Sequence, residues 1–418
     1  MMPGTGMAQA PKLSSRTGMQ AALLGCMFLG LFTEVLLSPY YPQFFHQVFG
    51  IEDYSYTGFY LFVCRLTVVL CSPLWGWLTR KVEAKQLLLV GQAGTALSTA
   101  LLAQADNANE FLILTVCLLV FKSSYMLIYP IIMELSDKGA QAGSAAKFHA
   151  VHHTAVLIAA LAGAHMLQME NPLTLFYGAA AADVIQLIVC VVVLWGWKSA
   201  SQPAAGRELG GSKGLISKLL QDRAILMLGL LFFTLTLANQ VVRPFFTPYA
   251  EKDFGLTTDT AGLIYLLPHL FALLLLPWLR AISKPDRLHI SYMVGVVAMA
   301  VGLVVQATAE GITGLIAGRM LYGMFLAITM AVLDVILFQR EQGASAAVAF
   351  SVMVSFQTGA ELLSPLIASF LSIQTGLGSP LLAAALLCLV NGLLFKWSNI
   401  YRSPKEAAPW NAHGSKTS

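Results

Sequence analysis

Runs of apolar residues close to 20 positions long, almost free of charge, alternate along the chain with short polar breaks. A helix needs about that length to cross the hydrocarbon core of a bilayer. The pattern predicts twelve spans, at approximately 19–41, 55–78, 86–105, 111–133, 148–168, 172–197, 224–244, 260–281, 289–308, 312–337, 346–372 and 380–397. One polar interval is much longer than the rest. Lys198 to Arg223 is rich in Gly, Ser and basic residues and divides six spans from six. The predicted order is an N-terminal segment (1–18), a six-helix bundle (19–197), a linker (198–223), a second six-helix bundle (224–397) and a C-terminal tail (398–418). The first part of the linker reads as flexible. Its end, Gly214 to Arg223, has apolar positions at helical spacing and suits a membrane surface.

The two halves repeat each other. Pro39-Tyr-Tyr-Pro-Gln-Phe-Phe-His-Gln-Val-Phe49-Gly50-Ile51 and Pro244-Phe-Phe-Thr-Pro-Tyr-Ala-Glu-Lys-Asp-Phe254-Gly255-Leu256 keep proline, aromatics and Phe-Gly-aliphatic in step, each joining one long apolar run to the next. Pro73-Leu-Trp75 recurs as Pro277-Trp278, Ser144-Ala-Ala as Ser345-Ala-Ala, and Asn171-Pro-Leu as Ser379-Pro-Leu. Repeats of this kind in a membrane chain point first to a secondary transporter with its site where the halves meet.

Composition agrees. The 418 residues are 57% hydrophobic and 11% charged, with a mean hydropathy of +0.71, far from a soluble domain. Most of the 25 Lys and Arg fall in intervals that lie on one side if both termini are cytoplasmic, as the positive-inside rule requires. The net charge of +4 therefore expresses topology, and no nucleic-acid partner is implied. The six cysteines all fall in predicted spans, where they act as small apolar residues, so no disulfide framework is read. The first apolar run reads as a retained helix and not as a secretory signal.

A charge inside the bilayer needs a partner, a wet cavity or a task. The spans hold Glu34, Arg65, Lys122, Asp183, Arg243, Arg319, Asp334 and Glu361. Lys122 and Arg319 match between the repeats, and each stands one helical turn before a tyrosine, Tyr125 and Tyr322. A cation from each half can hold an anionic substrate; alternatively each closes an internal ion pair. Glu34 aligns with Asn239, so one half has an acid where the other is neutral, which suits a proton-binding carboxylate. Arg65 can neutralise it in a fixed pair. Glu361, in mid-span 11, is the second proton-site candidate. Asp183, on a span expected to be peripheral, reads as packing or interhelical hydrogen bonding. Asp334 and Arg243 lie near span ends, where they can snorkel.

Tyr40, Tyr41, Phe245 and Phe246 hold matching ends of spans 1 and 7, as interfacial anchors or as a gate. His149 and His153 share a helical face at the start of span 5. With no cysteines or His-Glu-x-x-His pattern beside them, they read as hydrogen-bonded edge residues and not as a metal site. No cofactor is called for, and no Ser/His/Asp spacing, metalloprotease motif or phosphate-binding glycine loop supports an enzyme.

Twelve spans in two halves with a long central linker resemble the major facilitator superfamily. Gly76-Trp-Leu78-Thr-Arg80-Lys81-Val-Glu83-Ala-Lys85 is similar to that family's Gly-x-Leu-Ala-Asp-Arg-x-Gly-Arg-Lys loop, with Arg80 in place of aspartate and Glu83 in place of the second glycine. The pattern around Lys122 resembles the motif in which the proton-coupled drug and siderophore exporters place an arginine. Ala159-Ala-Leu-Ala-Gly163-Ala stands where those exporters carry Gly-Pro. The resemblance implies an all-α fold of twelve transmembrane helices in two pseudo-symmetric halves, in a bacterial inner membrane. The resemblance does not name a substrate; with the charged residues above, the leading reading is proton-coupled efflux, by alternating access, of a small polar or anionic metabolite such as a siderophore. Lys122, Arg319, Tyr125, Tyr322 and Arg65 would bind the substrate, and Glu34 or Glu361 would carry the proton. The alternatives are a multidrug antiporter and an importer of a small anionic solute.

Overall fold

The computed structural model describes residues 13–79, 81–135, 141–195, 221–282, 288–340, 344–398 and 400. All regular structure among them is helical: α1 (Leu13–Val35), α2 (Tyr41–Phe49), α3 (Tyr54–Leu78), α4 (Ala84–Leu102), α5 (Ala108–Lys122), α6 (Ile128–Leu135), α7 (Gln141–Met166) and α8 (Leu175–Leu194) in the first half. The second half holds α9 (Arg223–Val242), α10 (Phe246–Phe254), α11 (Thr258–Ile282), α12 (Leu288–Thr308), α13 (Ile312–Arg340), α14 (Ala344–Thr375) and α15 (Ser379–Ser398).

Among the described residues, nine helical stretches are long and apolar enough to cross a membrane, against the twelve expected. The three expected spans outside that count are still helices, at α4, α7 and α14. Polar positions lower their apolarity: α4 buries Gln92, Thr95, Ser98 and Thr99, and α14 carries Ser, Gln, Thr and Glu361. The side chains reverse the soluble arrangement. Large apolar groups such as Leu97, Val192 and Phe370 face outward while Gln186, Gln306 and Asn391 are sealed inside, as expected where the surroundings are hydrocarbon. Trp195 and Trp397 stand exposed at the ends of α8 and α15, the position of an interfacial belt.

The duplicated stretches form helices of their own, where the sequence suggested only connections. The run through 19–41 ends its helix at Val35 because Pro39 and Pro42 cannot donate to the preceding turn, and Pro42 then sits in the first turn of α2. Pro244 plays the same part in a 3-10 turn, Arg243–Phe245, ahead of α10. Both short helices close on a left-handed glycine, Gly50 at φ 67° and Gly255 at φ 64°, where any other residue is strained.

The residues pack as two compact units. One holds the described residues within 1–36, 67–159 and 171–204; the other holds those within 37–66, 160–170 and 205–418. In the second, α2 and the start of α3 belong with the helices of the C-terminal half. Thr247 donates to the Pro39 carbonyl, and Gln43 Nε2 donates to Thr247 Oγ1 at 3.1 Å. Ser369 on α14 donates to the Tyr54 carbonyl at 3.1 Å. Gly58 is needed there, because a methyl on it would meet Ser369 well inside 3.0 Å and the Pro365 carbonyl at 2.9 Å.

Asp222 caps α9, accepting from the Ala224 N–H at 2.8 Å and from Arg340 Nη2 at 2.8 Å. The Arg340 hydrogen bond chiefly, helped by the Ala224 N–H, holds its carboxyl below the ordinary carboxylate range. A depressed value means the contribution is complete above an unfolded value near about 3.9 and fades as pH falls through the folded one. Both partners are over a third exposed, so the pair itself adds little. Asp222→Ala is expected to cost about 1 kcal/mol at pH 7, mostly as a lost cap. Thermal melts should show that difference shrinking toward pH 3.

Candidate functional site

The first unit holds Lys122 in a polar cluster. Lys122 ends α5, and a 3-10 turn, Ser123–Leu127, follows at once. Span 4 is thus not continuous α-helix between Lys122 and Tyr125, whereas α13 runs unbroken from Arg319 through Tyr322. Lys122 is 7% exposed; its Nζ donates to Thr33 Oγ1 at 3.3 Å and lies 4.0 Å from Glu34 Oε2. Glu34 thus pairs with Lys122, not with Arg65. The Tyr125 ring lies against Gly30, where a Cβ would come within 2.8 Å of Cζ, and its hydroxyl is buried without a hydrogen-bond partner.

Asp183 is buried, 3% exposed, although its helix does lie at the periphery and turns Ile185, Ile188 and Val192 outward. Ala179 and Ala180 of the same helix are buried, and the carboxylate accepts from Thr99 Oγ1 of α4 at 2.7 Å and Gln186 Nε2 at 3.2 Å. The expected interhelical hydrogen bond is therefore present, in an interior place.

The second unit holds a longer chain of contacts. Arg65 Nη1 lies 3.3 Å from Glu361 Oε2. Glu361 Oε1 accepts from Gln240 Nε2 at 3.1 Å, and Gln240 Oε1 accepts from Arg243 Nη1 at 3.2 Å. Arg243 Nε donates to the Tyr265 hydroxyl at 3.1 Å, and Arg319 Nη2 donates to the Tyr265 carbonyl at 3.2 Å. Arg319 is 3% exposed, with Phe246 stacked 3.9 Å from its guanidinium carbon and Tyr322 at 5.8 Å. The Tyr322 hydroxyl donates to Asn239 Oδ1 at 2.7 Å.

Arg243 therefore does not snorkel; it joins the network. Sequence reasoning gave it little weight because it closes a span, and it overlooked Gln240 and Tyr265. The available signal was spacing, since Gln240 and Arg243 stand three apart and share a helical face.

The aromatic candidates separate. Tyr40, Phe245 and Phe246 are nearly inaccessible, which rules out a role as lipid-interface anchors. Tyr40 donates to the Ala160 carbonyl at 2.9 Å, and Phe245 meets Tyr54 edge-on at 5.3 Å. Tyr41 packs 5.1 Å from Tyr60. The two repeat copies also flank an open cleft of about 730 Å³, lined by Gln43, His46 and Gln47 from one and by Pro248, Glu251 and Lys252 at matching positions of the other.

Of the loop motif, Arg80 lies outside the described residues. The Gly76 carbonyl accepts from Thr79 Oγ1 at 2.7 Å, and Lys81 lies 4.6 Å over the Trp77 ring. Lys85 pairs with Glu83 at 3.2 Å. Among the side chains of spans 5, those of His149 and His153 also fall outside the description.

A profile of the Major Facilitator Superfamily matches residues 23–288 and again 228–416, the two matches overlapping over 228–288. The chain belongs to the Major Facilitator Superfamily. It is a multi-pass membrane protein of a transporter superfamily, not of an enzyme family. It is 22% identical over 391 residues to the multidrug resistance protein MdtG of Escherichia fergusonii, covering 91% of this chain and 94% of that one. To MdtG of Escherichia coli O81 it is 21% identical over 403 residues, covering 94% and 96%. Among solved structures it resembles the nucleoside transporter NupG, with a TM-score of 0.75 at 14% identity over 92% of this chain and all of the other. The D-xylose-proton symporter gives 0.71 at 16% identity, over 91% and 96%. The likeness to the solved structures shows the fold, and the proteins matched include both a drug-resistance protein and a symporter.

Proposed function

We propose that the chain is a proton-coupled carrier of a small anionic solute in a bacterial inner membrane, with Glu361 carrying the proton. One observation carries this reading: Glu361 binds Arg65 on one side and, through Gln240, Arg243 on the other, with Arg319 joined to Arg243 through Tyr265. A proton on Glu361 removes the charge that holds Arg65, so α3 and α14 lose their ion pair at that step. Alternating access needs such a link between proton occupancy and helix contact. Three guanidiniums against one carboxylate leave the network cationic, which favours a substrate of opposite sign. Support reaches charge and not the siderophore class, and it favours the uptake alternative over export.

Proteoliposomes holding a pH-sensitive dye provide the test. Adding small carboxylates or phosphates outside is expected to acidify the lumen as anion and proton enter together. If only lipophilic cations move protons, and they alkalinise the lumen, the anion reading is wrong. That outcome belongs to the second reading, drug export, which would fit the multidrug resistance named in the MdtG relatives. Its support is Glu34, a carboxylate 48% exposed and held by Lys122 only at 4.0 Å, which suits a cationic drug.

A further inference from the structure

Within each half, the first helix faces the span-4 or span-10 cation, and the two halves treat that cation differently. In the first, Glu34 stands 4.0 Å from Lys122 and answers its charge. The repeat places Asn239 at the position of Glu34, and Asn239 is spent on the Tyr322 hydroxyl. Arg319 is thereby left without an acid. Its Nε is buried with no hydrogen-bond partner, although a buried guanidinium ordinarily satisfies its donors. Beside it, Arg243 shares Tyr265 as a common acceptor residue. Among the described residues, neither arginine has a carboxylate within ion-pair distance. Two cations held together without an anion is a costly arrangement, and an incoming oxyanion relieves it.

We infer that Arg243 and Arg319 form an oxyanion seat within the second unit, whose occupancy is linked through Gln240 to protonation of Glu361. The inference rests on the proposed anion transport and adds the seat's members and the sign of the coupling. Arg65 on α3, Gln240 on α9 and Arg243 in the 3-10 turn face Glu361, and Ser364 of α14 donates to its backbone carbonyl. A deprotonated Glu361 competes with the substrate for this positive field. A protonated one leaves the field to the substrate. Anion and proton therefore bind together, each raising the affinity for the other by the same factor, which makes the carrier a symporter.

The test measures stabilisation of the full-length chain in detergent by benzoate, inorganic phosphate and gluconate, with benzamide as the uncharged control. Bound anion raises the melting temperature. Arg319→Gln and Arg243→Gln are each expected to weaken anion affinity by roughly 10- to 100-fold, whereas Lys252→Gln leaves it unchanged. Arg243→Lys keeps the charge and recovers part of the loss, and its melting without anion checks that the variant folds. Wild-type affinity should rise as the pH is lowered, and Glu361→Gln should bind with little pH dependence. Loss in Lys122→Gln as large as in Arg319→Gln would overturn the seat by sharing the anion between halves. Affinity that rises with pH would overturn the symport sign. If none of the three anions stabilises the chain while a cationic drug does, the proposed function itself fails.

Discussion

Glu361→Gln is expected to abolish solute accumulation driven by a proton gradient while leaving solute exchange in place. Glutamine keeps the size of the side chain and its carbonyl can still accept from Gln240, but it neither binds a proton nor holds Arg65 by charge. Free energies that couple two sites run to about 1–3 kcal/mol, so loss of the link is worth roughly 5- to 150-fold in driven accumulation. Counterflow, which needs only binding and reorientation, should persist. The two assays on one preparation separate coupling from folding. Undiminished accumulation by Glu361→Gln would move the proton site elsewhere, and Glu34→Gln, run beside it, would show whether Glu34 takes the role.

Gly58→Ala is expected to be among the most destabilising small changes in the second unit. Its methyl would press on Ser369 and on the Pro365 carbonyl at 2.9 Å, and a backbone carbonyl cannot turn aside as a side chain can. Overpacking of this kind costs about 1–3 kcal/mol. The contact lies on the same two helices as the Arg65–Glu361 pair, so transport should fall with stability. Ser369→Gly in the same chain removes one of the two clashes and should restore part of the loss, a coupling that a double-mutant cycle reads directly. A melting temperature unchanged by Gly58→Ala would mean that α3 and α14 do not approach this closely in the membrane.

Helical content, the duplication and the membrane setting were legible because each is written in local pattern: run length, proline, glycine and periodicity. The Phe-Gly endings even marked both left-handed caps, although the short helices before them went unread. Partners in space were not legible. Arg65 chooses Glu361 from a helix far along the chain, and no periodicity carries that information. Lys122 and Arg319 look equivalent in sequence, yet a 3-10 turn follows one and uninterrupted helix the other. Arg243 looked dispensable because span-end arginines usually reach water; here Gln240 and Tyr265 supply acceptors that keep it inside. Asp183 was rightly read as an interhelical hydrogen-bonding residue on a peripheral span, but its partner Thr99 was not legible.

Tyr265 is held at both ends, its carbonyl by Arg319 and its hydroxyl by Arg243. Two full positive charges are thus tied to one residue of α11, and any rotation of that helix carries them in the same direction. A charge crossing the whole bilayer at 100 mV changes energy by about 2.3 kcal/mol, and two moving together count double for each fraction of the field they traverse. In the proposed proton-coupled carrier, the resting voltage of the membrane would therefore act as a force in its own right, alongside the proton gradient.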